Sequence, residues 1–373
     1  TIIDYYKQQK NQPGTLSSKS FSNVLSASQL EVYNGCPYKY FCQYGLALQP
    51  YQSASLQANE IGTLVHYILD SSTPFFKNNQ HSKTIEISSI QEHIHKTIAT
   101  YINENSDIKR KLEQPKNKFF IECIQEDMIH TIMILMQQMQ ASSFHVDSTE
   151  EKLYATYGDF DIKGFVDRVD VFSNYIKVID YKSSDKDLDL GLAMQGFNIQ
   201  MLLYMDILAK DKQLEKGALL YFNTKKRILK SSLSILEEEQ VENFFKQYRM
   251  NGYVVDDIVE DIDNQIDGTS NIIKVRHVKR DNSYKGNVIT KDSLEKLLSI
   301  VGEHISYLYQ KIYTGTISIS PKGSNDPAIH TKVNPCSYCS YRSICNLDVF
   351  YNNPTLVKNI DIEAVLGGDD NAD

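Results

Sequence analysis

Two acidic residues and one lysine lie at the apolar ends of segments that the sequence predicts to be neighbouring strands. Asp167 belongs to the earlier strand, and Asp180 and Lys182 close the later one. Alternate side chains of a strand share a face, so Asp180 and Lys182 point the same way, and antiparallel pairing can place Asp167 beside them. Two carboxylates can hold Mg²⁺ or Mn²⁺ with a phosphate and water, which the metal activates, and a lysine offsets charge building on phosphorus. An isolated Asp-x-Lys is more typical of a surface salt bridge, but the additional acid favours phosphodiester hydrolysis.

Three further polar side chains are candidates for the same pocket. Gln200 and Tyr204 are four residues apart in a predicted helix, so they share a face and could present an amide and a phenol to a phosphate or to the metal. His66 lies in the middle of the apolar face of another predicted helix. Such a histidine is more often a core residue, and such a pair is more often an ordinary surface pair. Beside two carboxylates, His66 becomes a candidate metal ligand.

Three cysteines are crowded near the C-terminal end of the chain, at Cys336, Cys339 and Cys345. A fourth thiolate would come from Cys36, or failing that from Cys42. Four thiolates suit either Zn²⁺ or an iron–sulfur cluster, although one distant cysteine with three clustered ones favours a [4Fe–4S] cluster. Such a cluster would close a loop of roughly 300 residues, so we expect a structural role. Six cysteines are too few for a disulfide scaffold, which indicates a reducing compartment.

The hydrophobic pattern predicts the elements that position these residues. Ser28 and Glu31 have capping-box spacing at the start of a first helix, Pro37 opens a second, and helical spacing dominates from Ile87 to about Gln140. Strand patterns then follow, with one helix before the last of them. These segments are strands at Lys152–Tyr157, Phe160–Val171 and Tyr175–Tyr181, a long amphipathic helix from about Leu188 to Ala209, and a strand at Ala218–Phe222.

The remaining sequence indicates how the chain is divided. Residues 1–24 are polar and predict a linker or N-terminal arm, residues 25–350 predict one domain, and residues 351–373 predict an acidic C-terminal tail. Residues from about 250 to 290 are polar and predict an inserted lobe, followed by a helix at about Lys291–Tyr313. No run approaches the roughly 20 apolar residues of a membrane span, and the start lacks the apolar block of a signal peptide. We therefore expect no membrane association and a cytoplasmic protein, and the net charge of −8 does not decide for or against a nucleic acid.

Taken in order, these residues resemble the motifs of the RecB-like PD-(D/E)xK nucleases, and within them the nuclease domains of the AddB type. The resemblance runs from about Leu25 to Asp348. It is carried by Ser26-Ala27-Ser28-Gln29-Leu30, Cys36-Pro37-Tyr38, Tyr44-Gly45-Leu46, Gly62-Thr63-x-x-His66, Gly164-x-x-Asp167-Arg168-x-Asp170, Asp180-Tyr181-Lys182-Ser183, Gln200-x-x-x-Tyr204 and the three clustered cysteines. It implies an α/β fold with a restriction-endonuclease-like core, in which helices flank a mixed central sheet, together with the helical N-terminal layer and the inserted lobe.

The resemblance also implies roles for individual residues. The metal ligands that it implies are His66, Asp167 and Asp180. The catalytic set that it implies is Asp167, Asp180, Lys182, Gln200 and Tyr204. The [4Fe–4S] ligands that it implies are Cys36, Cys336, Cys339 and Cys345.

In that family the activity serves double-strand break repair and recombination, in which one DNA strand is cut while a partner helicase unwinds the duplex. The resemblance implies a Mg²⁺- or Mn²⁺-dependent deoxyribonuclease, expected to be an exonuclease, acting on single strands or duplex ends with a helicase–nuclease partner such as an AddA-like chain. Full AddB-type chains carry a long helicase-like region before the nuclease. This sequence lacks that region and any G-x-x-x-x-G-K-[ST] phosphate loop, so an ATP-driven step would need another chain or a missing portion.

Three alternatives stay open at this point. A CRISPR-adaptation exonuclease shares the nuclease motifs and the four cysteines, but those proteins are usually much shorter. A non-catalytic DNA-binding or scaffolding module could use the same fold, although the presence of Asp167, Asp180 and Lys182 disfavours it. A zinc-stapled interaction protein is a more distant alternative, which a chromophore absorbing near 400 nm would exclude.

Overall fold

The computed structural model describes residues 24–49, 55–79, 86–184, 186–224, 246–347 and 355–367. The helices of these ranges are α1 (Ala27–Gly35), α2 (Pro37–Tyr40), α3 (Ala58–Ser71), α4 (Thr73–Asn79), α5 (Ile87–Glu104), α6 (Ser106–Lys111), α7 (Pro115–Gln140), α8 (Leu190–Ala193), α9 (Gln200–Lys212), α10 (Val259–Ile262), α11 (Lys291–Tyr313), α12 (Pro327–His330), α13 (Arg342–Cys345) and α14 (Ile362–Leu366). A π-helical turn at Phe41–Gly45 continues α2, and a 3₁₀ turn at Asp256–Ile258 precedes α10.

The strands of the described ranges fall into one large sheet and two small pairs. They are β1 (Val24–Leu25), β2 (His145–Tyr157), β3 (Phe160–Phe172), β4 (Tyr175–Lys182), β5 (Glu215–Asn223), β6 (Asn251–Val255), β7 (Val275–Val278), β8 (Ser283–Gly286), β9 (Val288–Ile289), β10 (Lys322–Gly323) and β11 (Thr355–Leu356). Among these residues, no helix combines the length and the apolar composition that crossing a bilayer requires.

The central sheet mixes antiparallel and parallel pairs. β2, β3 and β4 form an antiparallel meander, as the sequence predicts, and β5 joins β4 in parallel. The connection from β4 to β5 runs through α8 and α9, because a parallel neighbour needs a crossover. β6 pairs antiparallel with β5, β9 pairs parallel with β6, and β1 pairs parallel with the start of β3. The predicted α/β fold, a mixed central sheet flanked by helices, is confirmed.

The helices before the meander form a layer, as expected from their apolar spacing. α3 and α5 contact each other, and both contact α7. Ile68, Ile94 and Met128 are among the fully buried side chains that join these helices to the hydrophobic core. The layer brings α3, and with it His66, to the sheet.

The first helix begins two residues earlier than the capping pattern predicts. Ser26 has the extended backbone of an N-cap; its Oγ accepts from Gln29 N at 3.2 Å, and Gln29 Oε1 accepts from Ser26 N at 2.8 Å. The predicted box of Ser28 and Glu31 is wrong, because Ser28 already lies inside the helix. The Glu31 carboxylate instead accepts the backbone N–H of Ile199 at 2.9 Å.

The predicted helix at about Leu188–Ala209 is two helices, so that prediction is wrong as to its length. Gly196 (φ +84°) and Asn198 (φ +55°) adopt left-handed conformations between α8 and α9, which interrupt the helix. A Cβ on Gly196 would lie 2.5 Å from the His304 ring, so the backbone passes too close for a larger residue. The break places Gln200 at the N-terminus of α9.

Both ends of the segment at about 250–290 belong to the central sheet, as β6 and β9, while the β7–β8 hairpin lies between them. The sequence did not predict these strands, because Asn251 and Gly252 make β6 polar. A Cβ on Gly252 would lie 1.9 Å from the carbonyl oxygen of Leu219. Of the predicted arm only residue 24 is described, and of the predicted tail only 355–367.

Candidate metal centre

The two predicted carboxylates meet where β3 and β4 separate. Arg168 pairs with Ile179 in the antiparallel ladder, which makes Asp167 and Asp180 the next opposing positions. Asp167 Oδ2 accepts the backbone N–H of Tyr181 at 2.7 Å. Asp180 is buried, and Lys182 Nζ lies 2.5 Å from its Oδ2. The structure therefore brings Asp167, Asp180 and Lys182 together.

His66 approaches this pair from α3 and meets a carboxylate that the sequence analysis missed. His66 Nδ1 lies 3.2 Å from Asp167 Oδ1 and 3.6 Å from Glu150 Oε1. One donor atom from each of His66, Glu150 and Asp167 lies within 4.8 Å of the other two. Carboxylate oxygens suit Mg²⁺ or Mn²⁺, and a neutral imidazole is a ligand of several other divalent metals, so the donor set fits a divalent cation.

Glu150 was missed because the predicted strand begins only at Lys152, whereas β2 begins at His145. Counting back from the hairpin, in which Tyr157 pairs with Phe160, places Glu150 opposite Asp167. Its φ of +45° is uncommon for a residue with a side chain and is typical of positions held by their surroundings. The predicted strand at Phe160–Val171 is longer than its predicted partner at Lys152–Tyr157. This difference in length was the sequence signal that the partner strand extends back through Glu150.

Negative charge is concentrated at this point. Burial raises the pKa of Asp180 to about 6, and the neighbouring Asp167 adds to the shift. Burial lowers the pKa of His66, but its hydrogen bonds to Asp167 and Glu150 outweigh burial and raise the pKa to about 10. A divalent cation between these groups would offset the repulsion between Asp167 and Asp180, and it would compete with the proton that Asp167 and Glu150 hold on His66.

Tyr204 and Gln200 occupy different positions at the site. Tyr204 is buried, and burial, followed by the charges of Asp180 and Glu31, raises its pKa to about 12. Its ring lies against β3 at Gly164, where a Cβ would lie 2.3 Å from Tyr204 Oη. For Gln200 the contact within the described residues is made by the backbone N–H, which donates to Glu31 at 3.3 Å.

A second lysine enters the site from the loop after β4. Lys186 Nζ lies 4.9 Å from the centroid of the Tyr221 ring, and Lys182 Nζ lies 6.0 Å from it. Burial lowers the pKa of Lys186, and burial raises the pKa of Glu31 on α1. Neither Lys186 nor Glu31 was predicted, because a lysine in a loop and an acid in a helix carry no local signal. The parallel pairing of Asp180 with Tyr221 brings Tyr221 there.

A buried ion cluster fixes β3 directly after Asp167. Arg168 donates from Nε and Nη2 to the two carboxylate oxygens of Asp170, at 2.6 and 2.8 Å. Lys177 Nζ lies 3.0 Å from Asp170 Oδ2. All three side chains are buried, and although burial opposes it, the two cations lower the pKa of Asp170. Removing one partner would leave an uncompensated buried charge, so the cluster holds the strand in one conformation.

The four predicted cluster cysteines line one cavity. The cavity is partly open to solvent, and its lining includes Cys36, Cys336, Cys339 and Cys345. Cys36 is buried at the end of α1, and the other three are partly exposed. The Tyr341 hydroxyl donates to the carbonyl of Leu48 at 2.9 Å, which ties the C-terminal cysteine segment to the chain after α2.

Cys42 is the competing candidate for the fourth position. It is fully buried in the π-helical turn but does not belong to the lining of the cavity, and its thiol contacts Tyr38. Among the described residues, no three cysteine sulfur atoms lie within 4.8 Å of one another. Sulfur ligands of one tetrahedral zinc ion lie only about 3.8 Å apart, given Zn–S bonds of about 2.3 Å.

Comparison with known proteins gives a match over most of the chain. The family model of the PD-(D/E)XK nuclease superfamily matches residues 24–346. Curated relatives named as a subunit of an ATP-dependent helicase/deoxyribonuclease include one from Clostridium perfringens strain SM101, 29% identical over 355 residues, which cover 87% of this chain and 30% of the relative. A relative of the same name from Clostridium acetobutylicum is 26% identical over 394 residues, which cover 97% of this chain and 33% of the relative. The chain spans about a third of the length of these relatives.

Proposed function

The chain belongs to the PD-(D/E)XK nuclease superfamily, and from this premise we propose that it cuts DNA by metal-dependent phosphodiester hydrolysis at the centre between β3 and β4. The observation that carries the proposal is the meeting of Asp167 and Asp180 with the Lys182 ammonium beside them. Metal-dependent phosphodiester hydrolysis uses two acids and a lysine in this way. The same arrangement does not stabilise the fold, because burying two like charges together is unfavourable.

The residues divide the work between holding the metal and handling the phosphate. His66, Asp167 and Asp180 would hold Mg²⁺ or Mn²⁺, which supplies Lewis-acid activation of the phosphoryl oxygen and of water. Lys182, released in part from Asp180 by the cation, would hold the attacking water and the charge developing on phosphorus. Tyr204 and Gln200 would support the site from α9. Tyr204 is buried, and its ring would restrict the access of water from the α9 side.

We also propose that Cys36, Cys336, Cys339 and Cys345 hold a [4Fe–4S] cluster with a structural role. Lining of one cavity by all four cysteines supports a shared metal site, and among the described residues no three cysteine sulfur atoms lie as close together as the ligands of one zinc ion. The cluster would staple the end of α1 to the C-terminal cysteine segment of a nuclease domain extending over about residues 25–350.

The relatives' name provides the biological setting that we propose. They are named as one subunit of an ATP-dependent helicase/deoxyribonuclease, and this chain spans about a third of them. We propose that it is the nuclease part of such a machine in the cytoplasm, working with a helicase partner such as an AddA-like chain. Its substrate would be single strands or duplex ends during double-strand break repair, with exonuclease action.

The test is cleavage of labelled single- and double-stranded DNA with Mg²⁺ or Mn²⁺, using anaerobically prepared protein. We expect wild type to cut and Asp180→Asn, which keeps the shape of the side chain, to lose at least a hundredfold in rate. Asp159→Asn, at an exposed position in the β2–β3 turn, is the matched control and should cut like wild type. Equal cleavage by wild type and Asp180→Asn would refute the site.

A further inference from the structure

The outer face of the β2–β3 hairpin continues directly from the metal centre. Opposing residues of an antiparallel pair share a face, and so do alternate residues of each strand. Lys152 pairs with Phe165 and Tyr154 pairs with Lys163, and along β3 the next residue of this alternation after Lys163 and Phe165 is Asp167. We call these four positions beyond the metal centre the hairpin face: Lys152, Tyr154, Lys163 and Phe165.

The hairpin face exposes two aromatic rings between two lysines. Tyr154 is 67% exposed and Phe165 is 56% exposed, which is unusual for neighbouring large aromatic side chains on a surface. Lys152 and Lys163 are exposed as well, and none of the ion pairs found among the described residues uses either ammonium. The Tyr154 hydroxyl donates to Asp161 Oδ2 at 2.9 Å, which holds its ring across the face.

We propose that the hairpin face binds a single DNA strand on its way to or from the metal centre, an inference that rests on the proposed nuclease function. Bases would stack on Phe165 and Tyr154, and phosphates would contact Lys152 and Lys163. Exposed rings interleaved with cations are what sequence-tolerant binding of single strands requires, because every base has a face that can stack. Because neither lysine has an acidic partner among the described residues, their two positive charges complement a phosphate backbone.

Continuity with the metal centre selects this occupant. Alternate residues of a strand are about 7 Å apart, so Phe165 lies about 7 Å and Lys163 about 14 Å from Asp167 along β3. A strand with a phosphate at the centre would therefore meet the ring first and then the lysine. A closed duplex offers no free base faces, so stacking on the two rings favours single-stranded DNA over duplex DNA.

The test measures binding apart from cleavage, in the full 373-residue chain carrying Asp180→Asn. The probe is a fluorescent oligothymidylate followed by anisotropy. We expect the pair Tyr154→Ala and Phe165→Ala to raise Kd about tenfold or more. We expect the pair Lys152→Gln and Lys163→Gln to lower the slope of log K against log salt by about 1.4. Phe119→Ala, 66% exposed on α7, is the matched control and should leave Kd unchanged.

Three outcomes would overturn the hairpin face as the binding surface. The double aromatic variant could bind the oligonucleotide with an unchanged Kd, or Phe119→Ala could raise Kd by the same factor. The double aromatic variant could also lose as much affinity for a DNA duplex closed by a loop as for the single strand. Hydrolysis of bis(p-nitrophenyl) phosphate separates this proposal from the nuclease itself. That small phosphodiester fills only the metal centre, so with Asp180 intact the aromatic pair should hydrolyse it at the wild-type rate. No hydrolysis by wild type would refute the proposed function, whereas the oligonucleotide Kd decides the hairpin face.

Discussion

Lys182 is the residue at which metal binding and catalysis can be separated. Its ammonium lies 2.5 Å from Asp180 Oδ2 and 6.0 Å from the Tyr221 ring, so it stands beside the cation position without offering a lone pair to it. We expect Lys182→Met to retain Mn²⁺ binding while the cleavage rate falls by about 10²–10³, the usual cost of removing one donor to developing charge.

The measurement for Lys182→Met is single-turnover cleavage together with Mn²⁺ affinity by calorimetry. Lys210→Met, on the exposed part of α9, is the control for loss of a lysine that pairs with a carboxylate. Full activity of Lys182→Met would remove the residue from the mechanism. Loss of Mn²⁺ binding in that variant would show that its role is structural.

Substitution of Glu150, the acid that the sequence analysis missed, tests whether this residue belongs to the metal centre. It lies 3.6 Å from His66 Nδ1, and its side chain is 35% exposed, so it can adjust to a cation more easily than the buried aspartates can. We expect Glu150→Gln to weaken Mn²⁺ binding by about 10- to 100-fold, the range seen for residues that orient metal ligands. Glu151→Gln, which removes a carboxylate paired with Lys212, should bind Mn²⁺ like wild type. Equal affinities in the two variants would exclude Glu150.

At the scale of elements, β3 and α9 depend on each other through a glycine. A Cβ at position 164 would lie 2.3 Å from Tyr204 Oη and 2.4 Å from its Cζ, so the ring would have to move. We expect Gly164→Ala to destabilise the fold by about 1–3 kcal/mol, as overpacking usually does, and to reduce cleavage. Urea unfolding of Gly164→Ala, Tyr204→Leu and the double variant measures the coupling. Additive effects of the two substitutions would contradict the contact.

How much the sequence could predict depends on whether the signal is local. Asp180 and Lys182 were predictable together, because two-residue spacing on a strand fixes a shared face. The meander was predictable from its short turns. The break at Gly196 and Asn198 was not, because it depends on close packing against His304 rather than on residue type alone.

Residues from distant segments show the same limit. Glu150 required the full hairpin register, and Tyr221 required the parallel pairing of β4 with β5. Lys186 lies in the loop before α8, and Glu31 on α1 accepts the backbone N–H of Ile199 before α9, so both depend on tertiary packing. The roles of the predicted site residues stay predictions, which the substitutions proposed here test.

At the scale of the whole molecule, the two ends of the domain meet at the cysteine cavity. α11 packs against α1, and the Tyr33 hydroxyl donates to the carbonyl of Thr316 at 2.8 Å. A cluster bridging Cys36 to the C-terminal trio would close a loop of about 300 residues and constrain the unfolded chain, which is why its loss should destabilise the whole domain.

Comparison of Cys36→Ser with Cys42→Ser tests this staple. We expect Cys36→Ser to lose iron and to lower Tm, whereas Cys42→Ser keeps its iron, because Cys42 does not line the cavity. Iron analysis and absorbance near 400 nm on anaerobic samples measure both variants. Iron loss confined to Cys42→Ser would show that Cys42, and not Cys36, is the fourth ligand. Zinc in place of iron would show that the cysteines hold a single zinc ion and not a cluster.

The proposed mechanism depends on a cation held by the carboxylates between β3 and β4. Loss of activity in a variant does not prove this, because a displaced substrate would have the same effect. The most decisive experiment is Mn²⁺ binding followed by electron paramagnetic resonance of the free ion, in wild type and in Asp167→Asn. We expect wild type to bind Mn²⁺ and Asp167→Asn, with an unchanged circular dichroism spectrum, to lose that binding. Equal Mn²⁺ binding by the two proteins would refute the metal centre, whatever their activities.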